Sequence, residues 1–382
     1  MRRTTISAEK ILARVLAIGS NPGAASASIR VEGATISGLL DLSGLTIAGT
    51  LMFVDCVFEE QLRMRSTSLQ AIFLGGCELS GLEGEELRVE QDLQLCEGSR
   101  VAQPINLERA TISESLSFSG ASLGPVDGAA LIANDMTIGG HLLLSNDFLA
   151  AGAVSMRRMH IGGALYCARG KFMNPRGTAL VLDDAQIEGN VLLSQGFKAR
   201  GEVSLLRARM GGFLYCAHGA FENPGATALA ADNVVIGGRA FLGEWFNAKG
   251  AVLLRDASIG GDLYCVGGIC QNPGGIALDA ERIRVGGSVR MHTRFLAQGA
   301  VRLAGATIGG TLNCTGGQFE NRGGVALTAE GATVGGDVVL GSGFRAESSV
   351  CFDRATIGGV LDVKDARCDG VSMKGLRFIE AI

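Results

Sequence analysis

A tyrosine–cysteine pair recurs at Tyr166-Cys167, Tyr215-Cys216 and Tyr264-Cys265, and returns as Asn313-Cys314, each copy 49 residues after the last. This period constrains the fold more than any single motif. A chain that repeats at fixed spacing folds as stacked units, because each unit can bury its apolar face only against its neighbours. The period also subdivides. The residue heading each unit is Val89, Ile112, Ile138, Ile161, Ile187, Met210, Ile236, Ile259, Val285, Ile308, Val334 and Ile357, so the steps alternate 23 and 26 residues. Forty-nine is one short coil plus one long coil.

Within a coil, apolar residues alternate with period two, the strand period, and no 3.6-residue stripe appears. Two columns after the glycine pair point inward: one runs through Leu142, Leu165, Leu214 and Leu263, the other through Leu144, Cys167, Leu193, Cys216 and Cys265. A corner column of phenylalanines from Phe148 to Phe344, broken only by Cys270, reads as an internal aromatic stack. A small column, Ala185, Ala208, Ala257, Ala306, Ala332 and Ala355, precedes the glycine pairs. The pairs themselves are expected to form a tight turn with φ > 0.

These ladders specify an all-β chain, a right-handed parallel β-helix of roughly 12–14 coils, about 60 Å long at the spacing between strands. Residues 6–18 read as an amphipathic helix with Ile11, Leu12, Val15, Leu16 and Ile18 on one face, Ser7 as N-cap and Asn21-Pro22-Gly23 as stop. Such a helix caps the open end of a solenoid. The expected division is a capping helix over 1–23, irregular coils over 24–88, the regular β-helix over 89–365, and a C-terminal tail or cap over 366–382.

Leu69, Leu74 and Leu79 fall five apart around Gly75-Gly76-Cys77, a rhythm that resembles the pentapeptide-repeat family. The longer 23- and 26-residue coils look like a cousin of that family. The pattern Ala-x-Ile-Gly-Gly-x-Leu-x-Cys followed by Phe-x-Asn-Pro, over about residues 85–365, also resembles bacterial proteins labelled membrane-associated oxidoreductases. No residues here resemble a redox cofactor site. Bactofilin-type cytoskeletal β-helices are a more distant likeness.

Composition narrows the function. Net charge is −4 and the pI about 5.7, which argues against a surface built to bind nucleic acid. No window reaches 18 uninterrupted apolar residues, and Glu9, Lys10 and Arg14 break any leader-like run, so a cytoplasmic location is expected. The 10 cysteines fall mostly in inward strand columns, as buried free thiols would. Cys167, Cys216, Cys265 and Cys314 lie two coils apart, near 10 Å, too far for a disulfide or a shared metal. Cys265 and Cys270 share a coil. His141, His160, His218 and His292 share no ligand spacing. The Asn-Pro steps at 174, 223 and 272 lengthen alternate coils and form an exposed ridge of turns. Asp135, Arg158, Asp184, Arg207, Asn233, Asp256 and Arg282 form a column of mostly alternating sign, as does a second column through Arg157, Asp183, Asp232, Arg255 and Glu281. No catalytic residue, cofactor or metal is assigned.

The outward column of the first strand is the exception to this uniformity. It presents Leu143, Tyr166, Leu192, Tyr215, Phe241 and Tyr264 where solvent is expected, with Phe213 and Trp245 nearby. An apolar strip of this size marks an interface unless the chain covers it, for instance with the N-terminal helix or C-terminal tail. The expected function is a non-enzymatic scaffold that self-associates or docks a protein through this strip. A membrane surface is the other candidate contact. The alternatives are a carbohydrate-binding or carbohydrate-active β-helix, with Asp262 as the nearest acid, and a DNA-mimic inhibitor like some pentapeptide-repeat proteins.

Overall fold

A computed structural model describes residues 3–19, 28–124 and 128–378, so the expected stop at Asn21-Pro22-Gly23 lies outside the described residues. The chain is a parallel β-solenoid of about 15 turns with 3% helix. It divides into two compact units, residues 1–189 and 190–382.

In the first unit, one coil shows the plan. Four short strand segments, Arg88–Val89, Leu93–Cys96, Arg100–Val101 and Ile105–Asn106, carry the chain round to Thr111–Ile112, where it pairs parallel with the segment it started from. Four segments per turn explain the five-residue rhythm: Leu69, Leu74 and Leu79 are each buried, and Val89 returns to register with Leu69 after 20 residues. Residues 28–88 are coils with shorter, uneven steps of 20–22 residues and a register shift between Ile47 and Thr50, which is one reason the turns exceed the expected 12–14.

The helix α1 (Ala8–Gly19) starts two residues later than expected, because Thr4–Ser7 is a strand pairing parallel with Ala34–Ser37. Ser7 directly precedes it. Ile11 and Val15 are buried, and α1 packs on Leu40–Asp41 and Thr46–Val54.

In the second unit, the coils from Val191 to Arg302 fuse the last two segments into one strand, seven residues long at Lys198–Ser204, Asn247–Leu253 and Leu296–Arg302. Alternate coils carry an 11-residue strand through the Asn-Pro step, Ala220–Ala230 and Ile269–Asp279. In both, the Asn side chain closes the step: Asn223 Nδ2 donates to the Thr227 carbonyl at 2.7 Å and Asn272 Nδ2 to that of Ile276 at 2.9 Å. Residues 366–378 form no separate cap. Val371–Ser372 stacks on Val350–Cys351 and Arg377–Phe378 on Thr356–Ile357, continuing the solenoid.

Two packing expectations need correction. The phenylalanines do not share one register. Phe221 pairs with Ala199 and Ala248, while Phe246 lies two residues earlier in its coil, so Phe-x-Ala and Gly-x-Phe coils alternate. Rings still meet, Phe197–Phe221 at 5.1 Å and Phe221–Phe246 at 5.2 Å, because each large side chain sits beside a small one in the next coil. Buried Cys270 takes the ring's place between Ala248 and Ala297.

The glycine pairs are not the left-handed corner. At the corner just before the glycine pairs the left-handed residues are the column of mostly charged side chains, Asp135, Arg158, Asp184, Arg207, Asn233, Asp256 and Arg282, all with φ between 52° and 58°. Each sits third in a β-turn such as Leu254–Ala257, closed by the Ala257 amide on the Leu254 carbonyl at 3.2 Å. The glycine pairs answer a different demand, close approach of successive coils. A Cβ on Gly260 would fall inside 3.0 Å of the Gly237 carbonyl oxygen, and Gly286, Gly309, Gly335 and Gly358 repeat this contact. The second glycine makes room for a side chain reaching across from the preceding coil.

Candidate functional site

The column that follows the glycine pair holds acceptors that close the backbone between coils. In the first unit, Asp92 Oδ1 accepts from the Ser115 amide at 2.9 Å, Ser115 Oγ from His141 at 3.1 Å, and His141 Nδ1 from Ala164 at 2.9 Å. In the second, Asn190 Oδ1 accepts from Phe213, Asp262 Oδ1 from Ser288 and Asp337 Oδ1 from Val360, at 2.8, 2.8 and 2.9 Å. These residues are structural, and their role was hidden because Asp, Ser, His and Asn share an acceptor but no charge.

Phe213 departs from this rule. It stands in the acceptor column yet carries a ring, 44% exposed, which lies over Gly238. The ring meets Phe241 edge-on, with centroids 6.1 Å apart and planes at 86°. Phe241 in turn contacts Tyr215 at 5.1 Å and Tyr264 at 5.7 Å. Parallel register produces this stack, because Leu192, Tyr215, Phe241 and Tyr264 stand opposite one another in successive coils. All four are half-buried. The outward column of the adjacent segment reads Arg209, Val235, Ser258, Arg284 and Thr307, so the apolar character belongs to one face.

A polar rim bounds the cluster. Tyr215 Oη donates to Glu244 Oε2 at 3.3 Å, and burial, then the Glu244 carboxylate, push the Tyr215 hydroxyl above its ordinary pKa. Asp262 lies 3.4 Å from Arg290 and 3.9 Å from Arg239 while accepting from Ser288. Asp262 is thus a neutralised structural acid, not a free carboxylate beside an aromatic platform.

In the first unit, Leu143 stands opposite Tyr166, both half-buried, and the Tyr166 ring meets His141 edge-on at 5.5 Å. Trp245 faces a separate cleft with Val266, Gly267 and Ile269, not the ring cluster.

The cysteine ladder is packing. Cys167, Cys216, Cys265 and Cys314 are buried and free, and burial pushes their thiols far above the ordinary value. Cys270, beside Cys265, is pushed up to about 12. Sequence reading missed a closer pair, Cys56 and Cys77 in adjacent coils, both buried with their thiols on backbone carbonyls. Their register depends on the shorter early coils. The charged columns are ion pairs across coils: Arg158 grips Asp135 with two bonds of 2.7 Å, and Arg282 grips Asp256 at 2.8 and 2.7 Å. Among the described residues no group of three or more His, Cys, Asp or Glu is placed to hold a metal ion, and no helix is long and apolar enough to cross a membrane.

These features define the class as a parallel β-solenoid repeat protein with one aromatic face. No protein-family model and no curated protein matches the chain.

Proposed function

We propose that the protein is a non-enzymatic scaffold that associates with a second copy of itself, or with another protein, through the outward aromatic face. The observation that carries this is the ring cluster Phe213–Phe241–Tyr215–Tyr264, held rigid by strand register and bounded by the charges of Arg239, Asp262 and Arg290. An aromatic centre with a polar rim is the composition of protein interfaces. The two segments named as the alternative cover for the strip are engaged at other coils: α1 at Leu40–Asp41 and Thr46–Val54, the C-terminal segment at Val350–Cys351 and Thr356–Ile357. The arginine partners of the acidic columns speak against a DNA-like surface.

Sedimentation velocity tests the reading. Wild type is expected to sediment as an oligomer, or to co-sediment with a partner, and Tyr215→Asp/Tyr264→Asp as a monomer with unchanged circular dichroism. A wild type that is monomeric and recovers the same proteins as the double variant would sink it.

A further inference from the structure

Short-coil corners contain a second left-handed residue, and the 49-residue period aligns Asp147, Gly196, Trp245, Arg294 and Gly343 there, with φ of 67°, 92°, 69°, 65° and 82°. Glycine suits this position, and bulky side chains rarely adopt it. Trp245 does so while 66% exposed, so the fold gains no core packing that would explain an indole there. A disfavoured backbone conformation that presents an exposed aromatic points to a contact outside the fold.

Trp245 and Arg294 stand on coils two apart, about 10 Å along the stack. The coil between them contributes Gly267, whose carbonyl accepts from the Trp245 amide at 3.3 Å and which lines the cleft without a side chain of its own. The result is a cleft of about 340 Å³, floored by Gly267 with Val266 and Ile269, and flanked by Glu244. That volume is at the small end of ligand sites. The Arg294 guanidinium is exposed and, among the described residues, makes no hydrogen bond or ion pair.

We infer that this cleft binds an acidic saccharide, with the C–H face of one pyranose ring on the Trp245 indole and its carboxylate on Arg294. A pyranose offers one apolar face and polar edges, which matches an indole wall opposite a cation. A guanidinium without a carboxylate partner takes one from the ligand in a two-bond fork. This inference does not depend on the aromatic face described above.

Trp245 is the only tryptophan in the chain, so fluorescence under tryptophan-selective excitation, which leaves the three tyrosines dark, reports on this cleft. Titration with trigalacturonate is expected to give a saturable change, weakened at least about tenfold by Arg294→Ala. Maltotriose, which lacks the carboxylate, is expected to bind correspondingly more weakly. Calorimetry on Trp245→Gly, a substitution matching Gly196 and Gly343, is expected to show no heat of binding while the fold is retained. No saturable change up to about 10 mM, an unchanged midpoint in Arg294→Ala, or equal affinity for maltotriose would overturn the assignment.

Discussion

Single residues here follow rules set by the distance between coils. Gly260 and Gly267 are both glycines of the second unit, yet they are required for different reasons. Gly260 lies against the Gly237 carbonyl, whereas Gly267 has φ of 69° and a Cβ there would make only an ordinary contact, 3.9 Å from the Glu244 nitrogen. Gly260→Ala is therefore expected to destabilise by about 2–3 kcal/mol, through overpacking that the backbone cannot relieve. Gly267→Ala meets only the left-handed penalty, about 1 kcal/mol. Denaturant titration of both variants checks the order, and a smaller loss for Gly260→Ala would refute the close-approach account. The cysteines give a second residue-level expectation. Thiols at Cys167, Cys216 and Cys314 are buried with their pKa raised, and the thiolate is the reactive form, so iodoacetamide at pH 8 should leave them unmodified in native protein and alkylate them in denaturant. Peptide mass spectrometry distinguishes the two states.

At the scale of the turn, the charged columns and the Asn steps link neighbouring segments. The hydrogen-bonded guanidinium of Arg282 holds the Asp256 carboxyl below its ordinary 3.8, and Arg158 does the same for Asp135. A carboxyl depressed in the folded state contributes stability that is present above its unfolded value and lost as pH falls through the folded one. The contribution is thus complete at neutral pH and disappears below about pH 4. Both pairs are largely exposed, so Asp135→Asn/Asp256→Asn should lower stability only slightly at pH 7. Its melting temperature should then fall less steeply than that of wild type between pH 5 and 2; parallel curves would contradict the linkage. In the long coils, Asn272→Ala removes the bond to the Ile276 carbonyl and should cost about 1 kcal/mol, while Asn272→Asp keeps the turn but loses the donor and should cost a similar amount.

At the scale of the whole molecule, stability in a solenoid is a sum of coil and nearest-neighbour contributions. The damage from Gly260→Ala should therefore stay local. Amides of its own and the next coil, such as Leu263 and Val289, are expected to lose hydrogen-exchange protection while those of residues 93–118 retain it. Uniform loss of protection would show longer-range coupling.

The 49-residue period by itself determined the solenoid, the inward Leu and Cys columns, the ion-pair ladders and the outward position of Tyr166, Tyr215 and Tyr264. All of these follow from strand periodicity and equal spacing, which leave a regular trace in one dimension. Tertiary structure alone decided the rest. It moved the left-handed corner from the glycine pairs to residues such as Asp256, split the phenylalanines into two registers, brought Cys56 beside Cys77, and set Trp245 and Arg294 across a glycine floor. Each of those depends on which atoms of one coil lie against the next. That distance of about 4.8 Å is set by backbone hydrogen bonds between residues a whole coil apart, and no local pattern in the chain records it.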